Sequence, residues 1–494
     1  MESQSSRVSG VVPLVHEITG PIRPDEWFGR LSSSRGVLFL DSARFDPKLG
    51  RYSFLTAAPF ERVVSRKGNL RLIRPGLPYQ MVRAADPFAW LRQRLREWTT
   101  ETIPGLPPFQ GGAAGLFSYD LCHHVERLPR PRFDEFAVPD MVVGFYDWVI
   151  AVDHLENRAW IVSTGLPERE EGARLVRARR RIESVRDWLE RGGPPPGAQN
   201  LPRPDVELAL SRLAETHAVP GHPGIFSNFS PYAYLAAVER CLEYLGAGDI
   251  FQVNLAQRLL APLPSPPDVL YRRLRQRNPA PFGAYFDASR FTIASASPER
   301  FIKVTDGNAE TRPIKGTRPR GATIQEDLDL LDQLKRSPKD RAENVMIVDL
   351  LRNDFGRVCR YGTVKVVDPF RIETYKYVHH LVSEVIGTLS PGLHTLDLLR
   401  AAFPGGSVTG APKVRAMEII AELEPTARGP YCGSVGYIGF DGNMDTNILI
   451  RTFTCGKGWL QFPVGGGIVA DSVPAIEYEE TMHKAEGMLR AIVD

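Results

Sequence analysis

Two strand-like runs, 433–440 and 446–454, flank the dipeptide Asp441-Gly442. So short a turn brings the chain back beside itself, and the two runs are expected to pair antiparallel. A parallel pair would need a crossover of a dozen residues or more. Further strand-like segments occupy 35–42, 141–152, 250–256 and 291–295 and are rich in β-branched and aromatic residues. Helical spacing marks 86–98, 168–190, 231–245, 338–357, 396–402, 413–423 and 475–493. Strands and helices alternate, yet several strands lie one hairpin apart. The expected class is therefore α+β or α/β with mixed or mainly antiparallel sheets, not a doubly wound parallel sheet.

The run Gly192-Gly-Pro-Pro-Pro-Gly197 opens a Pro-spotted stretch. It predicts a linker over 192–229 between an N-terminal region, 1–191, and a C-terminal region, 230–494. In the segment 86–98, Phe88, Leu91, Leu95 and Trp98 share one face, with Pro87 at the expected first helical position. The segment 168–190 reads as a basic amphipathic helix, either solvated or facing an acidic partner.

Composition narrows the function by exclusion. Of 494 residues, 43% are hydrophobic and 24% charged, enough for a large core. The net charge is +3, from 61 basic against 58 acidic residues, and no basic block suggests nucleic acid. The five cysteines are scattered and form no C-x-x-C pair, so neither zinc nor a disulfide framework is expected. A reducing cytoplasm fits such usage. Residues 1–20 lack the basic start and apolar run of a signal peptide. No apolar stretch approaches the ~20 residues of a membrane span.

Lys315 stands between Arg312 and Arg318 in a Gly- and Pro-punctuated segment. Neighbouring cations disfavour an ammonium, and a neutral lysine is a nucleophile. The alternative is a solvated lysine in an anion-binding loop. Glu477, Glu480 and Lys484 are spaced to share a helix face. Two such carboxylates suit a hard divalent ion, or else belong to a surface helix with a Glu480–Lys484 pair. Glu343 lies on a helical stripe with Met346, Ile347, Leu350 and Asp354. It serves the helix dipole or contributes to the same metal site.

Arg451 follows Ile448-Leu-Ile450 and reads as an inward arginine in a strand. Such a residue clamps a carboxylate or phosphate, or joins a buried ion pair. Glu299, in Ser297-Pro-Glu-Arg-Phe301, falls at a strand end, where a catalytic carboxylate can reach substrate. His379 and His380 are proton-carrier candidates or satisfied core histidines. The Gly-rich segments 403–413 and 465–467 can offer backbone N–H groups to an anion, but neither has a nucleotide-binding spacing.

In the family's order, these motifs resemble the chorismate-utilising enzymes, which include anthranilate synthase, aminodeoxychorismate synthase, isochorismate synthase and salicylate synthase. The resemblance is near-continuous from Ser230 to Asp494. It is carried by Phe251-Gln-Val-Asn-Leu-Ala-Gln-Arg258, Ser297–Phe301, Pro313–Gly321, Glu343–Asp354, His380-Leu-Val-Ser383, Gly405–Glu418, Tyr431–Thr452, Gly465–Val469 and Glu477–Gly487. It is thinner in 1–191, where it rests on Phe39-Leu-Asp-Ser42, Arg51-Tyr-Ser-Phe54 and Phe109–Gly115 and implies a region like that of anthranilate synthase component I.

The resemblance implies two intertwined domains with stacked, mainly antiparallel sheets and outer helices. It implies Mg²⁺ on Glu343 and Glu480, with Glu477 adjacent, holding the ring carboxylate of chorismate. Arg451, Tyr431 and the Gly467 backbone would hold the other carboxylate. Gly316 and Thr317 would line the pocket, and Lys484 would lie near the metal carboxylates. Glu299 would serve the departing 4-hydroxyl, and His380 would orient that region.

Gln252 stands where water-using members carry lysine, which implies ammonia as nucleophile. Lys315 stands where anthranilate-forming members carry alanine, which implies the aminodeoxychorismate branch. The expected reaction is amination of chorismate to 4-amino-4-deoxychorismate, through a covalent Lys315 adduct, in the folate-precursor route. No glutaminase nucleophile is seen, so ammonia is expected from a separate glutamine amidotransferase subunit. Asp41 replaces the glutamate of tryptophan-regulated relatives, and Ser42 is a possible regulatory residue. Two alternatives stay open: anthranilate formation with loss of pyruvate, and a non-catalytic sensor of chorismate or an amino acid.

Overall fold

The computed structural model describes residues 11–84, 86–193, 207–288, 290–374 and 378–493. Among these residues, the strands form a 13-stranded and a 12-stranded sheet. Every strand pairing within the two sheets is antiparallel, as the hairpin spacing predicts.

Alternation along each strand decides the layers. In Trp148–Asp153, Val149 and Ala151 face a core shared with the other sheet, while Trp148, Ile150 and Val152 face outward onto helices. In Gly112–Phe117 of the second sheet, Ala114 and Leu116 enter the shared core and Ala113 and Phe117 face outward. The two sheets therefore stack face to face. Helices Pro24–Leu31, Glu171–Arg191, Pro267–Arg277 and Pro474–Val493 cover the outside of the first sheet. Helices Pro87–Leu95, Pro338–Gly356 and Thr395–Ala402 cover the second.

The helix starts follow local chemistry. Asp86 caps Pro87–Leu95 by accepting from the Phe88 and Ala89 amides. Ser230 caps Pro231–Gly246 through the Ala233 amide, and Ser337 caps Pro338–Gly356 through the Asp340 amide. Each cap satisfies an amide that has no partner within its helix.

Two strand expectations differ from the structure in one way: the chain changes sheet inside an apolar run. The run 141–152 is two strands, Met141–Tyr146 in the second sheet and Trp148–Asp153 in the first. The change falls at Asp147, whose fully buried carboxylate lies 3.3 Å from Arg181 and 3.5 Å from Arg177. Some arginines of the basic helix therefore point inward, and Arg174 is itself buried. The run 446–454 is likewise divided. Met444–Asn447 pairs with Ser434–Gly439, as the Asp441-Gly442 turn requires, whereas Thr452–Gly456 belongs to the other sheet. Arg451 is thus not a strand residue. It sits in the crossing segment with φ +51°, in the left-handed region. A third crossing, at Pro298-Glu299, joins Thr292–Ser297 to Arg300–Thr305.

Of the linker expected at 192–229, residues 194–206 lie outside the described residues. Further on, His217–Ala218 and Phe226–Ser227 add two short strands to the first sheet. Both sheets take strands from either side of this segment.

Candidate active site

Two of the crossings lie side by side and make the floor of a cleft. The Ile448 amide donates to the Glu299 carbonyl at 3.0 Å, and the Ala296 amide to the Arg451 carbonyl at 3.1 Å. The Ser297 hydroxyl donates to the Ile448 carbonyl at 2.5 Å. Where two strands leave one sheet together, their side chains no longer alternate between cores. Glu299 and Arg451 therefore face a common cavity of about 180 Å³.

That cavity is also lined by Lys315, Tyr431, Gly467 and Lys484. It exists because the facing strand Trp459–Ile468 carries no side chains at Gly465, Gly466 and Gly467, which pair with Ala256, Leu255 and Asn254. A Cβ on Gly467 would lie 2.5 Å from the Gln252 Nε2. Gln252 is buried against that wall and lies outside the lining.

Lys315 and Glu299 meet through one residue. Ser407 donates its hydroxyl to Glu299 at 2.8 Å, and its carbonyl accepts from the Lys315 Nζ at 3.4 Å. Burial lowers the Lys315 pKa, opposed by the charges of Glu299 and Glu343. Burial raises that of Glu299, opposed by Lys315 and by the Ser407 hydrogen bond. In both groups desolvation outweighs the mutual attraction, so the amine gives up its proton more readily, and the carboxyl holds its proton more tightly, than either would in water.

The Lys315 pKa is lowered, as its two arginine neighbours suggest, but those arginines are not the cause. Arg312 is paired with Glu373, and Arg318 with Asp340 at 3.0 Å. Both neighbouring cations are neutralised, and the shift comes from burial. Arg451 is the reverse case: among the described residues no side chain pairs with its guanidinium, and burial alone shifts it. An unpaired arginine in a cavity is a ready partner for a carboxylate.

The remaining expected residues sit around this core. Lys484 bridges the Glu480 carboxylate at 2.6 Å and the Gly465 carbonyl at 3.0 Å. Glu477 accepts from the Ser472 hydroxyl at 2.6 Å and is buried. A Cβ on Gly466 would lie 3.3 Å from a Glu477 oxygen and 3.5 Å from a Glu480 oxygen, so both carboxylates converge there. Burial raises the Glu343 and Glu477 pKa values, and the Glu480 charge adds to both.

Among the described residues, no three His, Cys, Asp or Glu side chains form a ready-made metal cluster. The donor set is nonetheless oxygen-only and self-repelling, with a lysine already acting as its counter-cation. It fits an ion such as Mg²⁺, which needs one or two carboxylates and keeps several waters.

Thr317 and His380 are opposite one another in paired strands and hydrogen-bonded at 2.8 Å, outside the cavity lining. Burial, with Arg44 and Arg451 nearby, lowers the His380 pKa to about 4, so its ring is neutral near pH 7. Gly316 takes φ +78° and packs against Leu334 and Asp340, where a Cβ would come within 2.9 Å. Ser42 stands apart, lining a second cavity of about 420 Å³ with Asp41, Arg51 and Tyr437. Its hydroxyl donates to the Tyr52 carbonyl at 2.6 Å, while Asp41 accepts from Tyr271 and Arg275.

Ser407 and Asn254 also line the cavity, and neither stands out in the sequence as a site residue. Ser407 lies within the Gly-rich segment 403–413, part of which carries the family resemblance, but the serine itself has no role in that reading. Among the described residues, no helix is long and apolar enough to cross a membrane. All five cysteines are buried and free, in line with the absence of a disulfide framework.

A family model described as "chorismate binding enzyme" matches residues 51–490. The chain is 44% identical over 413 residues to anthranilate synthase component 1 of Thermus thermophilus, covering 84% of each chain. It is 42% identical over 479 residues to aminodeoxychorismate synthase component 1 of Klebsiella aerogenes, covering 96% of this chain and 98% of the other. The solved structure of anthranilate synthase component I from Streptococcus pneumoniae superposes with a TM-score of 0.73 at 31% identity, covering 89% of this chain and 92% of that one. A menaquinone-specific isochorismate synthase from Escherichia coli matches with a TM-score of 0.67 at 17% identity, a likeness of fold alone.

Proposed function

The chain belongs to the chorismate-binding enzyme family, and we propose that within it this protein aminates chorismate to 4-amino-4-deoxychorismate. The observation that carries the reading is a half-buried lysine, Lys315, beside the acid Glu299 in the cavity. The relatives named aminodeoxychorismate synthase component 1 support it.

In the proposed reaction, neutral Lys315 Nζ bonds to ring C2, both ring double bonds shift by one position, and the C4–O bond breaks; the second displacement reverses that shift. Glu299 gives its proton to the departing hydroxyl, which leaves as water. Ammonia then bonds to C4, the C2–N bond breaks, and Lys315 leaves as a neutral amine. The C4 ammonium returns a proton to Glu299, so the cycle consumes one chorismate and one ammonia and releases one water.

Arg451 and Tyr431, with the Gly467 backbone, would hold one substrate carboxylate. Glu343 and Glu480, with Glu477 beside them, would hold Mg²⁺, which when bound supplies charge neutralisation and a template for the other carboxylate. Gln252 offers no base to activate water, which favours ammonia. That ammonia would come from a separate glutamine amidotransferase subunit, in the cytoplasm and in folate-precursor synthesis.

A second reading is supported by the 44% identity to an anthranilate synthase component 1. It retains amination but ends in loss of pyruvate. The protein incubated with chorismate, Mg²⁺ and ammonium, with and without an aminodeoxychorismate lyase, separates the two. 4-Aminobenzoate formed only with the lyase is the expected result. Anthranilate formed without the lyase would sink the first reading in favour of the second, and no consumption of chorismate would sink both.

A further inference from the structure

We propose that Arg428 is a positioning residue that sets the shape of the catalytic cavity for chorismate, an inference that rests on the cavity being the chorismate site. Arg428 and Glu424 form an ion pair closed off from solvent, at 5% and 4% exposure. The Arg428 Nε donates to Glu424 at 2.9 Å and its Nη2 at 2.6 Å, a bidentate fork. The remaining reach of the guanidinium is spent on backbone. Nη1 donates to the Val408 carbonyl at 3.0 Å, and Nη2 to the Asn254 carbonyl at 2.7 Å. The guanidinium also lies 5.6 Å from the centre of the Tyr431 ring and 4.9 Å from that of Tyr119. Glu424 in turn accepts from the Ala256 amide at 2.9 Å.

Val408, Asn254 and Tyr431 all line the cavity and come from three separate segments of chain. One planar cation therefore ties three walls together from behind, without touching the cavity itself. A buried ion pair is a poor device for stability alone. Its desolvation roughly cancels its attraction, and a well-packed apolar pair of similar volume is often as stable. What the guanidinium supplies, and an apolar group or a lysine cannot, is several donors in fixed directions. Asn254 adjoins Gly467 in the strand pairing, and Val408 follows Ser407, which holds Glu299. An error in either wall is felt where substrate and acid meet.

The test uses the full-length chain and three variants: Arg428→Lys, Glu424→Gln, and the double change Glu424→Gln with Arg428→Met. Thermal midpoints are measured together with kcat and KM for chorismate under saturating ammonium and Mg²⁺, and KM for ammonium under saturating chorismate. Glu424→Gln leaves one acceptor oxygen for the fork and sets its amide NH2 against an Arg428 donor, so its chorismate KM is expected to lie between those of wild type and the double variant. The double variant removes both charges. It is expected to fold, with chorismate KM raised about tenfold or more while KM for ammonium stays within about twofold. Arg428→Lys is expected to raise chorismate KM similarly. A merely structural pair would lower the thermal midpoint and leave KM alone. An unchanged chorismate KM in the double variant, or failure of both Arg428 variants to fold, overturns the inference. Wild-type protein that does not consume chorismate overturns the functional reading and this inference with it. Active wild type with unshifted variants overturns the inference alone.

Discussion

Lys315 and Glu299 form a coupled pair in which burial opposes charge on both partners. In the proposed reaction the amine must be neutral to attack, so adduct formation is expected to rise as pH passes upward through the lowered Lys315 pKa. The carboxyl must carry its proton, so the rate falls as pH passes upward through the raised Glu299 pKa. The profile of kcat/KM for chorismate against pH is therefore expected to be bell-shaped, with limbs belonging to the pair. Glu299→Gln should flatten the descending limb while lowering the maximum; a wild-type profile with one limb only would contradict the pairing. Lys315→Ala should lower amination on the order of a hundredfold or more, as loss of a covalent nucleophile does. It should also abolish any chorismate-derived adduct in intact-protein mass spectrometry, and an undiminished rate would refute the covalent step. Lys315 and Glu299 were legible as candidates because few residue types can act as a nucleophile or an acid. Ser407 was not, because a serine in a glycine turn has no distinctive signal until the fold brings Glu299 to it.

At the scale of elements, helix ends were readable and strand ends were not. A cap is local: Asp86 with Pro87, Ser230 with Pro231 and Ser337 with Pro338 each declare a start within two residues. A change of sheet is not local. The runs 141–152 and 446–454 read as continuous because both halves have strand composition, and nothing in composition says which sheet a strand will join. The faint signals were a lone acid, Asp147, and a lone arginine, Arg451, within apolar runs. Asp147 holds its crossing by pairing with Arg177 and Arg181. Removing one partner of a buried pair leaves a charge uncompensated, so Asp147→Ala is expected to cost about 3 kcal/mol. Denaturant titration would read this directly, and a loss below about 1 kcal/mol would show that the crossing is held by packing alone.

Over the whole molecule, each sheet is assembled from both ends of the chain. Leu38–Asp41 pairs with Phe282–Asp287, and Gly112–Phe117 pairs with Ser434–Gly439. A fragment comprising 207–494 alone should therefore expose unpaired edges and lack half of its inter-sheet core. It is expected to show no cooperative thermal transition, while co-expression with 1–197 should restore one. A fragment that melts cooperatively by itself would refute this interdependence. By itself, the sequence determined seven of the helices, though not Pro24–Leu31, Pro267–Arg277 or Ile324–Arg336, together with the antiparallel pairing around Asp441-Gly442 and the residue types able to bind carboxylates, hold a divalent ion and attack a ring. Those properties depend on side-chain chemistry and spacing over a few residues. Only the tertiary structure decided which sheet each strand entered, and that Glu299 and Arg451 share a cavity because two crossings lie together. It also decided that Lys315 is tuned by burial, since Arg312 and Arg318 are neutralised by acids far along the chain. Such pairings join residues separated by tens to hundreds of positions, and apolar strand composition is too degenerate to encode them.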